Sequence, residues 1–419
     1  MRESMTTLLK RNVVPAVACA GLLLGGAGTA SASYIWTGDG DGTSANDSAN
    51  WQGNEVPPPD STIEFNHPGD WTIDFDIDDS DEEDPQVLDR YLLDTVEFGQ
   101  DAGTYTFIGQ DLSHTAGAFG RGSSTWTQES SNRQVVTNRI DRAQEDIFFT
   151  GEGTGHLEFA TEWNPSNGHL ELFLNSDSYR VIFSADELIT GRRDNSGNQM
   201  SGIGTVEIQN DGGYRGDHQI AGSATVLLTN DTDAGQFLGG SWTVTSDATL
   251  AGSGNVGGGT VTVQEDGVLG VGIHGPATDD LTNSPNASLT MGRLLLTAPD
   301  EADGSIVRLD IESLNEFNSL VLTSEDDEAY AAELAGLLEL NFADRIVGDY
   351  QIIDFDDETL GLSGNFDAIT DISGNFSDEE LSFDPTTGTL TASPEPASLA
   401  LMGLGGLLLL RRRSRQAEA

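Results

Sequence analysis

An all-β fold is what this sequence predicts, with a body built as a right-handed parallel β-helix or solenoid. Three observations point there. Short runs of alternating apolar and polar residues recur between clusters of Gly, Asn and Asp, which is how strands and their turns are punctuated. Val206, Val226, Val244 and Val263 follow one another at steps of 20, 18 and 19 residues, a near-constant period of the kind that stacked coils produce. The one cysteine, Cys19, lies near the N-terminus, so the rest of the chain has no disulfide and no thiolate metal site. Such a chain needs a large core or repetitive hydrogen bonding to hold together.

Residues 1–32 read as a secretory signal. Arg2, Lys10 and Arg11 give a basic start, Val13 to Leu24 an apolar stretch, and Ala30-Ser31-Ala32 a small-residue cleavage site framed by Ala30 and Ala32. Signal peptidase and the secretion machinery are the partners this implies. The only lysine, Lys10, belongs to this segment, so the body offers no lysine for a Schiff base or a phosphate-binding loop. Between residues 33 and 410 there are 12 arginines and 67 acidic residues, a charge of about −55 against −50 for the whole chain. Phosphate fields repel such a body, which excludes non-specific nucleic-acid and anionic-membrane binding.

The body divides into an N-terminal β-rich region, 33–200, and solenoid repeats with a closing segment, 201–393. In the first, Trp36 and Trp51 can cover the open end of a β core, and Pro57-Pro58-Pro59 blunts an edge. Strands are expected at 95–98, 104–107 and 169–174, then at 205–208, 224–228, 242–244 and 260–263. Asn210 and Asn230 each follow a strand, 20 residues apart, where a stacked amide ladder could form. Gly252-x-Gly254-x-x-Gly257 resembles a dinucleotide fingerprint only in spelling, because a strand-like run follows it rather than a helix. From 305 to 391 the strands 306–311, 319–322, 337–340 and 350–353 suggest a more antiparallel portion. Ser324 as N-cap, with Asp327 three residues on and helix formers from Glu328 to Ala335, predicts one short helix near 325–336.

Candidate chemistry is sparse. The six histidines, 67, 114, 156, 169, 218 and 274, make no metal-ligand spacing, and no Gly-x-Ser-x-Gly elbow occurs. Asp39-Gly40-Asp41-Gly42-Thr43 with Asp47 alternates oxygen ligands as a calcium loop would, but the glutamate expected at the twelfth position is Asn50. The run Asp74 to Asp84 holds eight carboxylates, either a solvated acidic loop or a weak divalent-cation site. No cofactor is expected beyond such weak calcium binding. Arg180, Arg192, Arg193 and Arg215 could supply the base of a β-helical polysaccharide-degrading enzyme but show no pattern, and the chain reads as a non-enzyme. Trp126, Trp163 and Trp242 could stack on sugars in a carbohydrate-binding module, or serve as core and turn caps.

At the C-terminus, Pro394-Glu395-Pro396 precedes the uncharged, mostly apolar run Ala397 to Leu410 and then Arg411-Arg412-Arg413-Ser414-Arg415. Fourteen residues make a transmembrane helix of only about 21 Å, short of a ~30 Å hydrocarbon core. This tail resembles the PEP-CTERM sorting signal. The resemblance implies recognition by an exosortase-type membrane protease, membrane association only through the tail, and delivery to the cell surface or extracellular matrix. Tyr34-Ile35-Trp36-Thr37-Gly38 with Ala49-Asn50-Trp51 resembles the opening segment of exported bacterial proteins with autotransporter-like β-strand repeats. The stretch 250–270 is similar to their late repeats, and Gly361-x-x-Gly364-Asn365-Phe366 with Leu381-Ser382-Phe383-Asp384 to their closing segment. Asn318 departs from that pattern, in which aspartate is more usual. The function expected is that of a structural or adhesive surface protein, with extracellular polysaccharide as a partner.

Overall fold

The computed structural model describes residues 33–58, 61–75, 90–113, 123–143, 146–161, 163–165, 171–184, 198–209, 217–229, 240–272, 286–297, 304–323, 330–355 and 361–393. Successive strands pair in parallel, each one coil beyond the last. One ladder, the first face, starts at Ser33–Trp36 and runs through Ser61–Phe65, Arg90–Phe98, Ser123–Gln128 and Asp146–Thr150. It continues through Glu171–Phe183, Asn198–Ile208 and His218–Leu228, then Trp242–Val244, Thr260–Val263, Arg293–Leu296 and Tyr330–Leu334, and ends at Gly361–Gly364.

A second ladder, the second face, begins at Asp70–Phe75, Thr104–Gly109, Gln134–Val136 and Leu157–Phe159. It takes the latter halves of the three long strands and finishes with Thr249–Gly252, Val268–Val271, Ile306–Ser313, Leu337–Phe342 and Ala368–Asp371. Two shorter parallel ladders join Asp111–Ser113, Ile140–Ala143 and Trp163–Pro165, and Gly254–Asn255, Ser288–Met291, Ser319–Leu322 and Ile353–Phe355. The body is all-β and solenoid-like. Its pairing crosses residue 200 without a break, because Asn198–Ile208 bonds to the strands on both sides.

The valine period needs a correction. Val206 does pair with Val226, but Val226 pairs next with Leu250, 24 residues on, and then comes Leu269. Val244 stands on the first face, between Ile220 and Val263. The four valines belong to two files, Val206 and Val226 on the second face and Val244 and Val263 on the first. In coils 198–228 a single long strand bends to serve both faces, and the bend needs Gly202 and Gly222, at φ +103° and +66°. A Cβ on Gly202 would strike the Leu174 carbonyl oxygen. Beyond residue 260 the coils lengthen, and Val307 to Leu338 to Ile369 advance by 31 each.

Alternation decides the core. Along Asp146–Thr150, Ile147 and Phe149 are buried while their neighbours are half-exposed, as a pleated strand requires. The N-terminal coils are filled by aromatics: Phe65 stacks on Phe98 at 5.7 Å, Trp126 meets Phe159 edge-on at 5.2 Å, and Phe159 stacks on Phe183 at 5.6 Å. Later coils are filled by Leu, Val and Ile. As expected, Trp36 and Trp51 close the first coil, edge to face at 5.1 Å and both 1% exposed. The chain from 37 to 52 folds back along the outer edges of both faces. Gln52 donates to the Ile35 carbonyl, and Ala45 donates to the Asp74 carbonyl. These bonds occupy edge groups that would otherwise be open to pairing with another chain.

The antiparallel portion expected over 305–391 is confined mainly to its end, because the strands covering 306–311, 319–322 and 337–340 pair in parallel with the coils before and after them. Gly348–Gln351, Thr389–Ala392 and Leu381–Asp384 form a three-stranded antiparallel sheet. Phe376 packs on Phe342 and Phe383 on Phe366. The short helix near 325–336 is not formed over its described part. Tyr330–Leu334 is a strand between Arg293–Leu296 and Gly361–Gly364. Its alanines explain this: Ala331 and Ala332 are fully buried, and the ladder bonds on either side outweigh an intrinsic helix preference of a few tenths of a kcal/mol per residue. Residues 324–329, the signal segment and the tail 394–419 lie outside the described residues. No helix among the described residues is long and apolar enough to cross a membrane.

Candidate functional site

Parallel stacking places like-numbered positions of neighbouring coils about 4.8 Å apart, so an outward side chain meets its counterpart one coil away. The arginines use this. Arg308 bonds Glu339, its direct ladder partner, at 2.5 Å, and Arg293 bonds Glu333 at 2.7 Å. Arg133 pairs with Glu158, Arg345 with Glu380, and Arg139 lies 3.8 Å from Asp111. Arg180, a candidate base at the sequence level, is 5% exposed and bonds Glu207, 3% exposed, at 2.8 Å. Each arginine named here ties one coil to another. Arg192, Arg193 and Arg215 lie outside the described residues.

Around Arg180 the structure assembles a polar network that sequence reading did not single out. His156 contacts both the Arg180 guanidinium and its backbone N–H, at 3.1 and 3.3 Å. Gln209 and Thr229 donate to the second Glu207 oxygen, and Ser184 donates to Glu158. Glu158 and Glu207 flank Ile182 one rung to each side, so their backbones are about 9.6 Å apart. Both are almost fully buried and saturated by protein donors, an arrangement suited to stapling coils. Only the coil spacing brings these residues together, and no local motif could have shown it.

The Asp39–Asp47 loop is wired through its own backbone. Asn50, fully buried, accepts from the Gly40 and Gly42 N–H groups and donates to Asp41 and to the Ser44 carbonyl. Asp41 accepts from the N–H groups of Thr43 and Ser44, and Asp47 from those of Asp41 and Ala49. The Thr43 and Ser44 N–H groups, helped by Asn50, hold the Asp41 carboxyl below its ordinary range. Among the described residues no group of three or more His, Cys, Asp or Glu side chains is placed to hold a metal. Of the run 74–84, only Asp74 is described up to residue 75.

Carboxylates also face one another across coils. Glu64 and Glu97 are direct ladder partners. Partial burial, then the nearby charges of Glu64 and Glu129, raise the Glu97 pKa. A raised carboxyl favours the folded state when protonated, and that contribution is lost as pH rises through the folded-state value. Glu97→Gln is therefore expected to raise the melting temperature at pH 7 and to change it little below pH 4. Thermal melts at the two pH values check this; an equal shift at both would mean that packing, not charge, is responsible.

Trp126 and Trp242, candidate sugar platforms, are core residues, 0% and 1% exposed. Trp163 lies in a strand beside Ile140. His218 packs against Trp242 at 4.3 Å, and burial pushes its pKa down to about 4, partly offset by Asp217. His67 meets Trp71 at 5.1 Å. His114, His169, His274, Asn210 and Asn230 lie outside the described residues, as do Ala30, Ala32, Pro394, Glu395, Pro396, Arg411, Arg412 and Arg413. Gly252, Gly254 and Gly257 have positive φ; Gly252 ends strand Thr249–Gly252, Gly254 opens Gly254–Asn255, and the stretch leads into strand Thr260–Val263, not a helix.

The outward side of the first face carries a different aromatic feature. Phe148 and Phe173, each between two buried apolar neighbours, are half-buried and point away from the core. Their rings stack at 4.8 Å with planes 13° apart. In register they continue a file of Thr62, Thr95 and Thr125 on one side and Ser201 and Ala221 on the other. No residue of this file is charged. One file over, Thr127 and Thr150 hydrogen-bond to each other across coils at 3.0 Å.

Comparison with known proteins finds no matching family model, no similar curated protein and no similar solved structure.

Proposed function

We propose that this chain is an exported structural or adhesive protein of the cell surface or extracellular matrix, whose body is a right-handed β-solenoid. The observation that carries the reading is the first-face ladder, thirteen strands in unbroken parallel pairing from Ser33 to Gly364, roughly 58 Å at the usual strand spacing. A stack of that kind is a rigid extended surface. Among the described residues, Arg133, Arg180, Arg293, Arg308 and Arg345 serve as coil staples and Trp126 and Trp242 as core, which favours a scaffold over a catalyst. The anionic remainder keeps copies apart and could be bridged to acidic polymers by calcium or magnesium.

Export would proceed through the segment ending at Ala30-Ser31-Ala32, and sorting through Pro394-Glu395-Pro396, the short apolar run and Arg411, Arg412 and Arg413. The tail is short for a permanent span, and the prolines hold an extended backbone where an exosortase-type protease at the membrane face could read it. In the native host, the mature protein is expected to begin near Ser33 and to lose the segment after about residue 396. Glu395→Ala should leave a larger, membrane-retained form. Intact-mass analysis of both proteins, with membrane fractionation, is the test. Wild-type protein that keeps Arg411 to Arg415 and stays in the membrane would overturn the sorting reading. A second reading, a carbohydrate-binding module, is favoured by one observation, the outward Phe148 and Phe173 pair.

A further inference from the structure

We propose that the outward file on the first face is a binding strip for a neutral polysaccharide chain, centred on Phe148 and Phe173. The inference rests on the surface-protein reading and names a ligand class for it. Three observations carry it. First, the file runs from Thr62 to Ala221 with no formal charge, in a chain of net charge −50. Polyanions, nucleic acid included, are repelled by the surroundings, while a neutral chain incurs no such cost.

Second, the chemistry of the strip is hydroxyl and aromatic. Thr125 and Ser201 border the ring pair in register, half-exposed. Carboxylates flank it, Glu97 on one side and Glu171 on the other, and can accept hydrogen bonds from sugar hydroxyls. Third, the rings stack on each other and not on the core. At 4.8 Å and 13° the stack is face to face, so the far face of Phe173 looks over the small side chains of Ser201 and Ala221. A pyranose seated above those two residues would place its C–H groups against that face. A protein partner would want a broad apolar patch, and two rings do not make one.

The test is affinity electrophoresis of the full chain in mild detergent with a chelator and no divalent cations, in native gels containing hydroxyethylcellulose, dextran or galactomannan, with alginate as the anionic comparison. At least one neutral polymer is expected to retard the wild type, and alginate is not. Phe173→Thr keeps a β-branched residue in the rung, and Ser201→Glu puts a charge in the strip without touching the core. Each is expected to weaken retardation about fivefold or more, the scale of losing one aromatic contact. Both should keep the wild-type far-UV spectrum; if Phe173→Thr does not, Ser201→Glu decides alone. No retardation by any neutral polymer, retardation by alginate alone, or retardation unchanged in a folded variant would overturn the proposal. Such a failure leaves the sorting test untouched, since that test reads the mature termini and not binding.

Discussion

Arg180→Met is expected to lower folding stability by about 3–5 kcal/mol, the cost of leaving a buried charge without its partner. Glu207 is 3% exposed, and the guanidinium 2.8 Å away is its only cationic contact among the ion pairs described. Gln209 and Thr229 bond its other oxygen but bring no positive charge. The double variant Arg180→Met, Glu207→Leu should recover much of the loss, because replacing a buried pair by apolar side chains of similar size is often neutral. Urea unfolding of wild type, both single variants and the double variant measures the coupling. If the double variant is as unstable as Arg180→Met, the loss comes from packing around the methionine and not from a stranded carboxylate.

Asn318→Asp should be nearly as severe, and its cost should depend on pH. The Asn318 amide donates to the Val271 carbonyl at 2.8 Å and accepts from the Ala287 N–H at 3.1 Å, joining segments 47 and 31 residues away. It is 1% exposed and packed against Gly272. A carboxylate can accept there but cannot donate, so it would lose the bond to the Val271 carbonyl and bury a charge, together about 3 kcal/mol or more at neutral pH. Burial raises the carboxyl's folded-state pKa, so the penalty is smallest at low pH, where the protonated acid can donate, and grows as pH rises through that value. Denaturation midpoints of wild type and variant at pH 4 and pH 7 check this. A pH-independent difference would show that the aspartate stays neutral or that the site opens to water. The donor that Asn318 supplies to the Val271 carbonyl is what an aspartate there would lack.

Some of this architecture could be read directly. Strand periodicity in Thr260–Val263 or Leu337–Phe342 depends on neighbours two residues apart, and the pleat translates it into in-and-out burial with no reference to the rest of the chain. The closing role of Trp36 and Trp51 was legible for the same local reason, since large apolar side chains beside a proline-rich turn must bury somewhere. The strand at Tyr330–Leu334 was not legible. Its alanines favour a helix by a few tenths of a kcal/mol each, and only the ladders on either side reverse that preference.

The same division holds for the candidate site. The sequence by itself determined the composition of this protein's surface: an acidic body with few arginines, no lysine, and hydroxyl residues alternating with apolar ones. Which of those residues meet was decided only by the tertiary structure. Coil length varies from 19 to 38 residues along one file of the second face, so counting cannot say that Phe148 lies on Phe173, that Glu207 lies beside Arg180, or that Val226 lies under Leu250. Register in a parallel stack is set by the hydrogen-bonded edge of the preceding coil, and a loop of any length can be absorbed outside it at a closure cost that grows only slowly with length. The residues that cross-link coils are therefore selected by spacing in space, about 4.8 Å, and not by spacing along the chain.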